Sequence, residues 1–253
     1  MLNLGEAHSL SDLIEAAHQA EKAFGDSQIW FRGHANYDWA LIPSAHRKPA
    51  ILESQFANHF RHRAPSMSDM CPKHEDYVAW LPLMQHYGLP TRLLDWTESL
   101  LVATFFANPR ETSTSNAAIW FLDPGKLNQN SIGNFIPFLT DERVTPIVKA
   151  AFSPSSTENQ HSIAVMAPHS DRRMAAQLGN YTIHGGGTAL EKYPTAETFL
   201  AKVTIPASAQ DKIRADLSVS GIRLSTLFPD LSSLAKEISE LYVFDQNGNS
   251  LEC

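Results

Sequence analysis

The stretch Gln85-His86-Tyr87-Gly88-Leu89-Pro90-Thr91-Arg92-Leu93-Leu94-Asp95-Trp96-Thr97 crowds amide, imidazole, phenol, hydroxyl, guanidinium and carboxylate groups into thirteen consecutive positions. Apolar sequence flanks it on both sides, Trp80-Leu81-Pro82-Leu83-Met84 before it and Leu100-Leu101-Val102-Ala103-Thr104-Phe105-Phe106-Ala107 after it. Polar groups at the edge of a core are costly unless they are paired or used. The stretch is therefore the first place to look for a site.

Reading outward, the chain has an α+β order. Ser11-Asp12-Leu13-Ile14 starts a helix whose stripe of Leu13, Ile14, Ala17 and Phe24 ends near Gly25. Residues 28–33 read as a short strand closed by Gly33, residues 39–44 as a second extended piece, and residues 51–63 as a helix. Further helices are expected over 76–84 and 100–107, and a buried strand over 117–122. Residues 124–160, rich in Pro, Asn, Ser and Thr, predict a long surface excursion. Strands follow at 162–167, 181–184 and 199–205, helices at 209–217 and 231–240, and a terminal strand and turn at 241–248. We take residues 1–253 as one domain.

Composition narrows the class. With 43% hydrophobic and 19% charged residues, thirteen Phe and five Trp, the chain is globular and can fill a large core. A formal charge of -7 argues against a dedicated nucleic-acid coat. Two cysteines, Cys71 and Cys253, make no disulfide framework, and no leader-like or membrane-length apolar segment is seen, so a cytoplasmic protein without membrane contact is expected. The oligomeric state is open.

Phe31-Arg32-Gly33, Trp39, the stretch 85–97, and Ala103 with Phe106-Ala107 closely resemble the FRG domain family, a bacterial and phage-associated domain named for its first motif. Arg173, Gln177, Gly179 and Thr182, and Thr226-Leu227-Phe228-Pro229-Asp230-Leu231 with Leu234-Ala235, extend the resemblance to about residues 28–238. In pattern, the aromatic-Arg-Gly strand end, the polar strand Leu94-Asp95-Trp96-Thr97 and the helix Ala103-x-x-Phe106-Ala107 also resemble ADP-ribosyltransferases. That second resemblance implies a mixed or antiparallel split β-sheet flanked by helices, NAD as the nucleotide, a macromolecular target, and a toxin or phage-defence setting. The transferases carry a late Glu-x-Glu motif, whereas Gln177-x-Gly179 stands at the matching segment here.

The chemistry can be argued from the residues. A guanidinium at a strand end, Arg32, can grip a pyrophosphate by paired charge-assisted hydrogen bonds, and Gly33 leaves room for a ligand near the backbone. Cleaving a nicotinamide bond builds positive charge on the ribose, which a carboxylate such as Asp95 would stabilise. Tyr87 and Trp96 offer stacking faces, His86 a proton near neutral pH, and Arg92 and Thr97 further ligand contacts. Asp95, His86 and Gln177 are the catalytic candidates, with Glu53 and Glu98 as other acids able to substitute for the missing glutamate.

Each assignment has a plainer counterpart. Arg32 and Arg92 could pair with Asp95 and Glu98 in an ionic lattice, His86 could be structural, and Trp96 and Trp39 could belong to the core. Two other functions stay open: a nuclease or hydrolase using His86, Arg92 and Asp95, and a non-catalytic nucleotide or protein sensor. No metal site is expected. His59 and His62 lack further ligands at convincing spacing, and Gly185-Gly186-Gly187 reads as a hairpin or lid.

Overall fold

The computed structural model describes residues 1–47, 50–108, 114–129, 131–153, 161–168 and 171–241. Seven strands, β1 (Leu2–Glu6), β2 (Trp30–His34), β3 (Leu93–Thr97), β4 (Ala117–Leu122), β5 (Ser162–Val165), β6 (Gly179–His184) and β7 (Leu200–Ile205), form one mixed sheet in the order β1-β7-β4-β2-β3-β6-β5. β1 is parallel to β7, and the other neighbours are antiparallel. The helices are α1 (Leu10–Ala23), α2 (Ala50–Arg63), α3 (Tyr77–His86), α4 (Leu100–Ala107), α5 (Pro124–Asn128), α6 (Thr145–Ala150), α7 (Arg172–Ala176), α8 (Ala196–Phe199), α9 (Gln210–Val219), α10 (Leu224–Leu227) and α11 (Leu231–Leu241). The fold is α+β, as the order of elements in the sequence implies.

The helices begin where short polar side chains can satisfy their free N–H groups. Ser9 caps α1 by accepting from the Asp12 amide, Asp76 caps α3 through Ala79, Ser99 caps α4 through Val102 and Asp171 caps α7 through Met174. α1 turns Leu13, Ala16, Ala17 and Ala20 onto the sheet, where they meet Phe31, Ile119, Phe121 and Val203. A second core lies between the β3-β6-β5 part of the sheet and α2, α3 and α6, built on Trp80, Leu81, Leu93, Ile147 and Ile183. The third, around Trp30, Trp96, Trp120 and Leu122, covers the face opposite α1. With layers on both sides, all six residues of β4 are buried, which explains its unbroken apolar run.

The sheet is divided at one seam. β2 pairs with β4 from Trp30 to His34, and β3 pairs with β6 along its whole length, but β2 and β3 meet at the single register position Phe31–Thr97. Arg32, Gly33 and His34 have no register partners in Trp96, Asp95 and Leu94, so the two halves part toward His34 and Leu93. Instead of a ladder bond, the Asp95 carbonyl accepts the Arg32 guanidinium at 2.6 Å.

Several expectations change. Residues 39–44 do not form a strand. The Trp39 carbonyl faces the His34 ring and the Leu41 amide donates to Glu191, so side chains take the groups a neighbouring strand would need, and a 3-10 turn follows at Ser44–Arg47. β1 adds a strand on the sheet edge whose signal, two leucines around an asparagine, is too short to stand out. The described part of 124–160 is not a surface excursion: Leu127, Leu139, Val144, Ile147 and Val148 are buried. Asn128, fully buried, explains part of this. Its amide donates to the Ala164 carbonyl and accepts from the Ala164 amide, so it closes the edge of β5 as a strand would. At the C-terminal end Leu241 closes α11, and the strand and turn expected beyond it lie outside the described residues, as do residues 112 and 113 of the preceding loop. Among the described residues no helix is long and apolar enough to cross a membrane.

Candidate functional site

A cavity of about 200 Å³ opens at the seam between β2 and β3. One wall is polar, formed by Arg32, Asp95, Gln177 and Asn180, and the other apolar, formed by Val102 and Phe106 of α4 and Met174 of α7. Such a lining suits a planar group carrying polar substituents. Its volume is below the roughly 300–1,000 Å³ of pockets that enclose a drug-sized ligand. It takes one ring-sized piece, and the rest of a larger ligand would lie outside.

Arg32 is held in place before any ligand arrives. Its Nε donates to His34 Nε2 at 3.0 Å, and Nη1 donates to the Asp95 carbonyl, with an Asp95 carboxylate oxygen at 3.8 Å. An arginine can only donate, so His34 Nε2 is the acceptor, while Nδ1 lies 3.1 Å from the Trp39 carbonyl and 3.2 Å from the Trp120 indole nitrogen. Burial, followed by the charge of Arg32, pulls the His34 pKa down to about 3, which keeps this acceptor available. Burial also lowers Arg32 from its ordinary value, an effect that Asp95 opposes and Arg47 reinforces.

Asp95 projects from the solvent-facing end of the cleft, its side chain 62% exposed. Gln85 Nε2 donates to its carboxylate at 2.5 Å, while Gln85 Oε1 accepts from the Thr91 hydroxyl. Gln85 at the start of the quoted stretch and Thr91 at its middle thus orient its acid. His34, Gln85 and Asn180 were not singled out by sequence. For His34 the signal was available: positions 32 and 34 share a face of any strand.

Six of the nine candidate residues, Arg32, Gly33, Asp95, Trp96, Thr97 and Gln177, line the cavity, and three do not. Arg92 is buried in a chelate with Glu53, Nη2 to Oε2 at 2.5 Å and Nε to both carboxylate oxygens at 3.1 Å, and donates to the Ile147 carbonyl. The ionic lattice exists, but its acid is Glu53. His86 stands 3.6 Å from Asp171 at the cap of α7, and Tyr87, 65% exposed, faces Phe60 and a separate apolar groove. The nuclease arrangement of His86, Arg92 and Asp95 is therefore not assembled.

Within the cavity the roles also shift. A Cβ on Gly33 would stand 1.9 Å from the Ala103 carbonyl oxygen and 2.5 Å from the Ala107 nitrogen, so the missing side chain makes room for α4, not for a ligand. Trp96 is a core residue, 2% exposed, whose indole donates to Thr182, although it also lines the cleft. Thr97 donates to the Gln177 carbonyl at 2.6 Å and accepts the Ser99 amide, tying β3 to the end of α7. The Gln177 amide donates to the Leu227 carbonyl. Glu98 is exposed and accepts from Asn180. Trp39 is not core: it is 51% exposed. His59 and His62 are exposed too, and among the described residues no group of three ligating side chains could hold a metal.

Residues 27–116 match the sequence model of the FRG domain, a span that holds Arg32, the 85–97 stretch and α4. The segments around Gln177 and Thr226 fall outside the match. No curated protein and no solved structure matches the chain.

Proposed function

Because the chain carries an FRG domain whose two characteristic motifs meet at a divided sheet, we propose that the seam is a nucleotide site and that the protein is an ADP-ribosyltransferase-like domain using NAD on a macromolecular target. The observation that carries this reading is Arg32: a half-buried guanidinium held at the seam by His34 and the Asp95 carbonyl, beside a ring-sized cavity and an exposed carboxylate. The ring-sized cavity would take the nicotinamide, Arg32 the pyrophosphate, and Asp95 would face the ribose as the glycosidic bond lengthens. A bacterial toxin or phage-defence role is part of the proposal and rests on the family resemblance alone.

One observation favours binding without transfer on the same site. The Gln177 side chain is engaged by Leu227 and carries no charge, so among the described residues Asp95 is the one carboxylate lining the cavity. Calorimetric titration with NAD, beside an assay for released nicotinamide, separates the readings. Binding with turnover lost in Asp95→Asn supports transfer; binding without turnover supports the sensor. No heat at millimolar NAD, or an Arg32→Lys protein binding as the parent does, refutes the nucleotide site.

A further inference from the structure

The seam is open at one end, and a single segment spans the opening. Residues 39–47 are anchored to β2 by the Trp39 carbonyl against His34, and to the other half of the sheet by the Ala45 amide on the Thr91 carbonyl at 3.1 Å and His46 Nε2 beside the His184 carbonyl at 3.1 Å. Leu41, fully buried, fixes its middle through Glu191. Besides Ser44, two large side chains of this otherwise pinned segment, Trp39 and Arg47, are exposed. Trp39 stands edge-on to His34 with ring centroids 6.0 Å apart, and His34 holds Arg32. Arg47 donates to the Ile42 carbonyl and has no carboxylate partner among the described residues, while its charge reaches both Arg32 and His34 and lowers them.

An exposed indole is unusual in this chain. Trp30, Trp80, Trp96 and Trp120 are each at most 2% exposed, against 51% for Trp39. An exposed aromatic face next to Arg47, which has no carboxylate partner among the described residues, and near Arg32 matches what a nucleoside phosphate presents, a flat base and an anion.

We infer that Trp39 and Arg47 carry the nucleotide site beyond the cleft, Trp39 stacking on the base and Arg47 sharing the phosphates with Arg32. This rests on the seam being a nucleotide site and adds where the part too large for the cavity lies. It also assigns the base to a residue outside the 85–97 stretch.

The arrangement can be tested by tryptophan emission, since Trp39 is the exposed indole of the five. ADP-ribose should quench the parent emission saturably, and Trp39→Leu should lose most of that quenching. By calorimetry, Trp39→Leu and Arg47→Gln should each weaken ADP-ribose about tenfold, as loss of one stacked base or one phosphate contact does. Nicotinamide affinity should stay at the parent value and Trp39→Phe should restore ADP-ribose binding. Parent-like ADP-ribose affinity in both Trp39→Leu and Arg47→Gln overturns the inference while leaving the seam as a nucleotide site. Absence of ADP-ribose and NAD binding by the parent protein overturns both.

Discussion

Gly33→Ala separates two explanations of the Phe-Arg-Gly motif. If the glycine serves a ligand, the alanine variant folds normally and binds poorly; if it serves α4, the variant loses stability first. The added Cβ would lie 1.9 Å from the Ala103 carbonyl oxygen, 2.5 Å from the Ala107 nitrogen and 3.0 Å from the Ala103 carbonyl carbon, all of them backbone atoms. No rotamer change relieves such a contact, so the whole helix must retreat from β2. Val102, Ala103, Thr104 and Ala107 of that helix are all buried. Overpacking typically costs 1–3 kcal/mol, and a backbone clash on a buried helix belongs at or above the top, so a loss of about 3 kcal/mol or more is expected. At roughly 2–4 °C per kcal/mol for a chain of this size, the melting temperature falls by about 6–12 °C. Urea denaturation followed by circular dichroism, with the slope compared between the two proteins, measures it. A Gly33→Ala protein with the parent midpoint would refute the packing account.

Three further perturbations follow from the geometry. Glu53→Gln leaves Arg92 buried and half-paired and should cost about 3–5 kcal/mol, whereas Glu53→Leu combined with Arg92→Met should cost less than either change alone; additive losses in a double-mutant cycle would contradict the chelate. Leu178, 43% exposed at φ 47°, holds a left-handed conformation, so Leu178→Gly should raise the melting temperature through relief of about 1 kcal/mol, and a lowered value would show that its side chain matters more than its backbone. His34 has a folded pKa of about 3 against an ordinary 6.5, so between these values the unfolded chain binds the extra proton. Its contribution is complete above pH 6.5 and is lost as the pH falls toward 3, amounting to a few kcal/mol. His46 and His184 are shifted the same way by burial, so His34→Asn should reduce the acid-side slope without abolishing it, and an unchanged slope would show that His34 does not set it.

Part of the site could be read before folding. Arg32 and Asp95 stand in motifs whose polarity is conspicuous between apolar runs, and both reach the same seam. Arg92, His86 and Tyr87 stand in the same stretch and go elsewhere. α3 ends at His86 and β3 starts at Leu93, and the turn between them sends neighbouring residues to different partners: His86 to Asp171, Tyr87 to Phe60 and Arg92 to Glu53. Sequence proximity inside a turn does not translate into proximity in space. Glu53 shows the converse, lying 39 residues from the arginine it neutralises.

Taken alone, the chain determined which segments are strands and helices wherever a period, a cap or a glycine is written locally, and it determined the α+β class and the resemblance of the 85–97 stretch. Those are short-range properties, decided by backbone sterics and the burial of one face. Only the tertiary structure decided that β2 and β3 touch at a single position, that Gly33 answers to Ala103, that Arg92 is spent on Glu53 and that Trp39 stays in solvent. Each depends on which distant segment packs against the residue, and the desolvation and pairing energies that choose that segment are properties of the assembled core.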